Sequence, residues 1–331
     1  MKNAVSLVKA GEIFLTKGEF LPMIITRILP HSGMGNQMFM YAAGLAAAVR
    51  LNTELKLGAS DYSAVTRKDR PYCLDCFPQI TEPFAEFRET FRICPGEAVA
   101  EYLLIERLAK ELGIFKEILK LSLRVVTYSY GSYKQPKIFS PSDFLNIKDN
   151  IVLIGFWESE KFFADIAGTV RRKFTFSPEC FDPQLSERVK TCNSVAVHVR
   201  RGDKASKKDK FFCSDGRYIK LAIEKLLSLT ENPSFFVFSD DIEWCRKNLP
   251  LIHDAEYYFV EGRTPSQDMA LMSLCRHVIM GPSTFSWWGA WLNEYPGKIV
   301  IAPDINFWYK PGSYSPGNHK DLLPERWIKI S

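Results

Sequence analysis

From about residue 194 onward the sequence repeats one figure. A short β-branched or aromatic run is followed by polar residues or glycine, and then by a stretch of helical spacing. The apolar runs are Ser194–Val199, Ser234–Ser239, 256–260, 277–280 and 298–302. Helical stretches at 218–229, just after Asp241, at 266–275 and through 287–292 fall between them. Strands separated by helices cannot pair as hairpins, so the figure predicts a parallel, doubly wound α/β sheet. Right-handed crossovers bring the carboxyl ends of such strands to one edge, where open α/β sheets bind ligands.

The residues at those strand ends carry chemistry. Ser194–Val199 reads as a strand buried on both faces, and Arg200-Arg-Gly-Asp203 follows it directly. Arginine is a fixed cation whose planar fork matches phosphate oxygens, so the pair predicts an anion site on a rigid element. A solvated arginine pair is the alternative. Lys204, Lys207, Lys208 and Lys210 add local positive charge and fit a solvated loop. Asp240 and Asp241 offer acceptors for a guanine edge or a ribose hydroxyl. Ser283, Thr284 and Ser286 offer hydroxyls and backbone N–H groups at a helix start, a cradle for a diphosphate. Aspartates and serines in these places also cap helices, and the pair Trp287-Trp288 also fits a core.

The amino-terminal half is less regular. A strand at 23–29 leads into His31-Ser-Gly-Met-Gly-Asn-Gln-Met-Phe39 and an alanine-rich helix to about Arg50. Gly33 and Gly35 allow close backbone approach at a helix start, but the third glycine of the dinucleotide fingerprint is missing. Asn36 and Gln37 add polar groups there, with Asn36 also a candidate N-cap. Strands are expected at 51–57, 124–130 and 151–156, and a helix at 98–120; 60–95 reads as irregular. Glu158 and Glu160 lie just past a strand end. Periodicity fades over 178–193, which places a domain boundary there and divides the chain into 1–177 and 178–331.

Composition sets the outer limits. With 331 residues, 46% of them hydrophobic, the chain has core enough for two domains. A net charge of +5 is too small to argue for nucleic acid. Cys73 and Cys76 form a Cys-x-x-Cys pair, yet no second pair follows at zinc-ribbon spacing, so reduced thiols and a cytosolic setting are expected. No secretory signal or membrane-spanning tract is read, which predicts a cytoplasmic protein, peripheral membrane contact being compatible with it.

Five segments together carry a family resemblance. They are Gly33-Met-Gly-Asn-Gln-Met-Phe39, Gly155-Phe-Trp-Glu-Ser-Glu-Lys161, His198-Val-Arg-Arg-Gly-Asp203, Phe238-Ser-Asp-Asp241 and Ser283-Thr-Phe-Ser-Trp-Trp-Gly-Ala-Trp-Leu292. In content and order the sequence resembles the α-1,2-fucosyltransferases (glycosyltransferase family 11), in particular bacterial members. That resemblance implies a GT-B-like pair of Rossmann-type domains with a donor cleft between them. Residues 1–177 would form the acceptor side, and 178–331 the GDP-fucose-binding domain. It implies inverting transfer of fucose to the 2-hydroxyl of a galactose-terminated acceptor, with no cofactor and no obligatory metal. It places Gly33, Gly35, Asn36, Gln37, His198, Arg200, Asp240, Asp241, Ser283, Thr284, Phe285 and Ser286 around the donor. Arg200 is the main candidate for charge stabilisation, and His198 shares its strand parity. Asp203, Glu158, Glu160 and His31 are candidates for the general base. Pro282 departs from the pattern, which has asparagine before the serine. An α-1,6- or other GDP-fucose-dependent transferase and a non-catalytic nucleotide-sugar-binding module remain the alternatives.

Overall fold

The computed structural model describes residues 22–29, 32–58, 71–86, 89, 125–128, 141–202, 216–252, 255–304, 308 and 321–331. The helix expected at 98–120 lies outside them. The chain divides into two compact units that interleave in sequence. The first takes 1–74, 80–157 and 161–172; the second takes 75–79, 158–160 and 173–331.

In the first unit β1 (Met23–Arg27) runs into α1 (Met34–Leu51) and then β2 (Glu54–Gly58). β3 (Val125–Tyr128) and β4 (Ile151–Gly155) complete a four-stranded sheet of order β2-β1-β4-β3, parallel throughout. Every residue of β1 is buried, and α1 is buried almost all round, as its alanine-rich sequence dictates. The two approach closely because Gly44 has no side chain: a Cβ there would lie 2.6 Å from Thr26 Cβ. Thr26 Oγ1 in turn donates to the Met40 carbonyl at 2.9 Å. The helix–strand packing role of the missing third glycine is thus filled by Gly44, two turns further along. Past β4, Trp157 adopts φ +55°, a left-handed conformation costly for a bulky side chain. Phe144 and Phe162, with ring centroids 5.4 Å away, hold its fully buried indole there.

A short helix, α2 (Ala167–Lys173), ends the first unit, and the main body of the second begins at its last residue and continues with α3 (Pro183–Thr191). Then β5 (Ser194–Val199), α4 (Arg217–Leu227), β6 (Ser234–Ser239), α5 (Ile242–Asn248) and β7 (Glu256–Phe259) follow. α6 (Pro265–Leu274), β8 (His277–Ile279), α7 (Thr284–Leu292), β9 (Val300–Pro303) and β10 (Ile328–Ile330) complete it. α3 falls where periodicity was read as fading. Its outward face is polar, and its start is fixed by Asp182, which accepts from Leu185 N at 2.8 Å, and by Pro183 in the first turn.

The six strands form one parallel sheet of order β10-β9-β8-β5-β6-β7. Read from β7, this is the doubly wound order 3-2-1-4-5-6, and chain direction across the sheet reverses between β5 and β8. Val195, Val197 and Val199 alternate onto one face of β5 and belong to a core with Ile219, Ile223 and Leu226 of α4 and Phe235 and Val237 of β6. Each such side chain contributes about 1.5–3 kcal/mol by leaving water. The 75–79 and 158–160 segments are integral to this unit. Phe77 is buried with its ring 5.0 Å from Phe174 and 4.8 Å from Phe176, and Ser177 N donates to the Cys76 carbonyl. The fold is α/β, a GT-B-like pair of Rossmann-type units. No helix among the described residues is long and apolar enough to cross a membrane.

Candidate active site

The switch point of the second sheet lies at the carboxyl ends of β5 and β8, and there the sequence places its arginines. Parallel register pairs Val199 with Ser239, so residues 200 and 240 leave adjacent strands side by side. Arg200 Nη1 sits 2.9 Å from Asp240 Oδ2. The other oxygen of that carboxylate accepts the backbone N–H of Arg201 at 2.8 Å. Asp241 serves two partners as well: Oδ1 caps α5 by accepting from Trp244 N, and Oδ2 pairs with Arg201 Nε at 3.1 Å. The guanidinium of Arg201 also lies 3.7 Å over the Trp244 ring. The consequence is an asymmetry between the arginines. Arg201 is clamped by an acid and an indole with 14% of its side chain exposed, whereas Arg200 keeps 32%.

The capping alternative therefore holds for Asp241, and both acids pair with arginines while staying partly exposed. Burial pushes the nearby Cys245 thiol up; the Ser239 hydroxyl and Arg201 work against that rise, and Asp241 adds to it. Farther along the edge, past β7, Arg263 is almost fully buried and lies 3.6 Å from Asp268. Burial pushes the Asp268 carboxyl up to about 6, against the attraction of Arg263.

On the other side of the switch point, Gly281 follows β8 closely. A Cβ at Gly281 would come within 2.6 Å of the His198 carbonyl and 3.0 Å of its Nδ1, so only glycine lets the two strand ends lie together. His198 is buried, with its ring centroid 5.6 Å from that of Phe285. Ser283 is the N-cap of α7, accepting from Phe285 N. Ser286 is fully buried and donates to the carbonyls of Gly281 and Ser283 at 3.1 and 3.2 Å. The hydroxyl turns back on the turn that precedes the helix, as serines in first turns do, so its role in this structure is to shape that turn. Thr284 and Phe285 are half-buried at the start of the helix, whose amino terminus carries partial positive charge. The Trp287-Trp288 pair is core: both rings are fully buried, and Trp287 Nε1 donates to the Leu322 carbonyl at 2.8 Å.

In the first unit, Gly33 is the N-cap of α1 and opens on space, a Cβ there meeting nothing within 4 Å. Gly35 and Asn36 fall inside the first turn, so Asn36 is not the cap. Gln37 is fully buried. Its amide donates to the carbonyls of Ser32 and Pro71 and accepts from Cys73 N, at 2.8–3.0 Å. It stitches the loop at 71–73 to the helix.

The carboxylates past β4 differ from each other. Both oxygens of Glu160 are taken by the guanidinium fork of Arg326, and one also accepts from Trp291 Nε1 at 3.0 Å. A carboxylate so held is a clamp, which removes Glu160 from the candidates for a general base. Glu158 is buried. Asp203 and His31 lie outside the described residues. Among the described residues no group of His, Cys, Asp and Glu is arranged to hold a metal ion, Cys73 and Cys76 included.

Gly202 escaped the sequence reading, although a Cβ there would strike Asp240 Oδ2. Arg326 and Trp244 escaped it too, because nothing local ties them to Glu160 or Arg201. Comparisons with known proteins bear on the family. Residues 126–315 match the model of glycosyl transferase family 11. An alpha-1,2-colitosyltransferase of Escherichia coli is 33% identical over 94% of this chain and 99% of its own length. The human galactoside alpha-(1,2)-fucosyltransferase 1 is 30% identical over 57% of this chain and 55% of its own. A fucosyltransferase NodZ from Bradyrhizobium superposes with a TM-score of 0.45 at 14% identity, covering 81% of this chain and 92% of that one. A family match over more than half the chain, together with a relative aligned along nearly all of it, makes this chain a member of glycosyltransferase family 11.

Proposed function

We propose that the protein transfers L-fucose from GDP-β-L-fucose to the 2-hydroxyl of a terminal galactose, with inversion and without a metal. The observation that carries the reading is Arg200, a partly exposed cation fixed at the switch point of the donor-type sheet. The relatives named for α-1,2 transfer support the linkage, and the human one supports the galactoside.

In this mechanism the acceptor oxygen attacks the anomeric carbon as the bond from that carbon to the diphosphate oxygen breaks. The bonding electron pair leaves with GDP, and the acceptor's hydroxyl proton passes to a general base. Charge grows on the leaving diphosphate, and Arg200 with the amino terminus of α7 stabilises it where it develops. Glu158 is the described carboxylate remaining for the base among those read from the sequence; a base must come within hydrogen-bond reach of the acceptor hydroxyl.

A second reading is favoured by the relative that aligns over 94% of the chain, which is named for colitosyl transfer. The full chain, given GDP-linked fucosyl or colitosyl donor and a panel of β-galactosides, decides between them by GDP release and product linkage. Faster GDP release from GDP-fucose and an α-1,2-fucosyl product are expected. Exclusive use of the colitosyl donor would transfer the assignment to that sugar, and a different linkage would overturn the 2-hydroxyl. EDTA should leave turnover intact; loss of turnover restored by magnesium or manganese would overturn the metal-free mechanism.

A further inference from the structure

Asp240 was expected to accept from the nucleotide. Its two oxygens instead face the loop after β5, one on the Arg201 backbone N–H at 2.8 Å and the other on Arg200 Nη1 at 2.9 Å. We propose that Asp240 is a positioning residue for Arg200, and that position 202 is glycine so that this carboxylate can reach both arginines. The proposal rests on the donor reading above and assigns Asp240 a task other than recognising the base.

Three features of the chain converge on it. Parallel register delivers residues 200 and 240 side by side from the central strands. A guanidinium on a flexible stem gains direction when a carboxylate fixes one of its nitrogens, and the same carboxylate fixes the backbone from which the loop departs. A methyl group at position 202 would collide with Oδ2, the oxygen that holds Arg200. Turning Asp240 toward a purine edge would release an arginine and a backbone N–H together, and with them the direction that the carboxylate gives the loop. Asp241 is likewise committed, to Arg201 and to the cap of α5. Arg201 and Asp241 thus form the fixed wall against which Asp240 aims the more exposed arginine.

The test is a double-mutant cycle on the full chain: wild type, Asp240→Asn, Arg200→Lys and the double variant, with Gly202→Ala as an independent probe of the same carboxylate. Turnover is measured as GDP release from GDP-fucose with the best galactoside acceptor. Affinities for GDP and for IDP, which lacks the 2-amino group, are measured by calorimetry. Asp240→Asn should lower kcat about tenfold or more with a smaller change in KM, because a misaimed cation is missed most in the transition state. The preference for GDP over IDP should stay at the wild-type ratio. The double variant should be no slower than Arg200→Lys alone, since the acid acts only through that arginine. Gly202→Ala should reproduce the Asp240→Asn pattern; if it fails to fold, the cycle decides alone. Loss of the GDP-over-IDP preference with kcat intact would assign Asp240 to the base and overturn the proposal, as would penalties that simply multiply in the double variant. A wild-type protein that releases no GDP from GDP-fucose overturns the donor reading first, and the proposal with it.

Discussion

The two edges of the six-stranded sheet use their polar residues in opposite ways. At the amino edge, neutral side chains hold the backbone. Asn193 Nδ2 donates to Thr230 Oγ1 and the Glu231 carbonyl, Ser194 Oγ donates to the Val189 carbonyl and accepts from Arg276 N, and His277 Nδ1 accepts from Ile299 N. At the carboxyl edge serines still hold the start of α7, but charges also hold charges: Arg200 on Asp240, Arg201 on Asp241, Arg263 beside Asp268. Neutral bonds to the backbone close the sheet and have no second use. An ion pair at a half-exposed edge contributes little to stability and can share its cation with an arriving anion. The difference separates residues that keep the strands together from charged pairs at the edge where the proposed donor would arrive.

Arg200→Lys breaks that comparison most severely if it is wrong. Lysine keeps the charge and loses the fork. We expect kcat to fall on the order of a hundredfold with a smaller change in the KM for GDP-fucose, while the melting temperature stays at the wild-type value. Near-normal turnover would show that this edge does not bear the transition-state charge.

Ser194→Ala is the matching change at the other edge. It leaves the Arg276 N–H and the Val189 carbonyl without their hydroxyl partner in a fully buried setting, at a cost of about 1–3 kcal/mol. Thermal or urea unfolding should register the loss, and kcat at a temperature well below melting should not. Reduced kcat at unchanged stability would blur the two edges.

The smallest effect sharpens the distinction by pH. With its carboxyl raised from 3.8 to about 6 by burial, the folded protein holds the Asp268 proton that the unfolded chain gives up. The stabilisation is complete below 3.8 and is lost as the pH rises through about 6. Asp268→Asn should flatten the stability profile between those values by about 1 kcal/mol, after allowance for Arg263 and partial exposure. Ser194→Ala should keep the wild-type pH slope. Parallel profiles for wild type and Asp268→Asn would place the titration elsewhere.

The fold was legible where hydrophobic runs are punctuated, and the alternation after residue 194 suffices for a parallel sheet. α3 went unread because its polar outer face masks periodicity, although Asp182-Pro183 marks its start. The site was legible along each strand end and not across strands. That Arg200 follows a strand is visible in one dimension; that Asp240 stands beside it depends on which strands are neighbours and in what register. The pairing of Glu160 with Arg326, 166 residues apart, leaves no local mark in the sequence. The structural role of Gln37 is hidden for a related reason: a polar residue at a helix start looks the same whether it meets a ligand or the loop at 71–73.

The interleaving of the two units bears on how such a protein can be inherited. Because Phe77 packs on Phe174 and Phe176, and Glu160 holds Arg326, the second unit owns residues encoded far upstream of its main body. A chimera joined to a relative at a single point near residue 173 would set a foreign 75–79 segment against native aromatic rings and a foreign partner against Arg326. Recombination by one crossover is therefore penalised at the core.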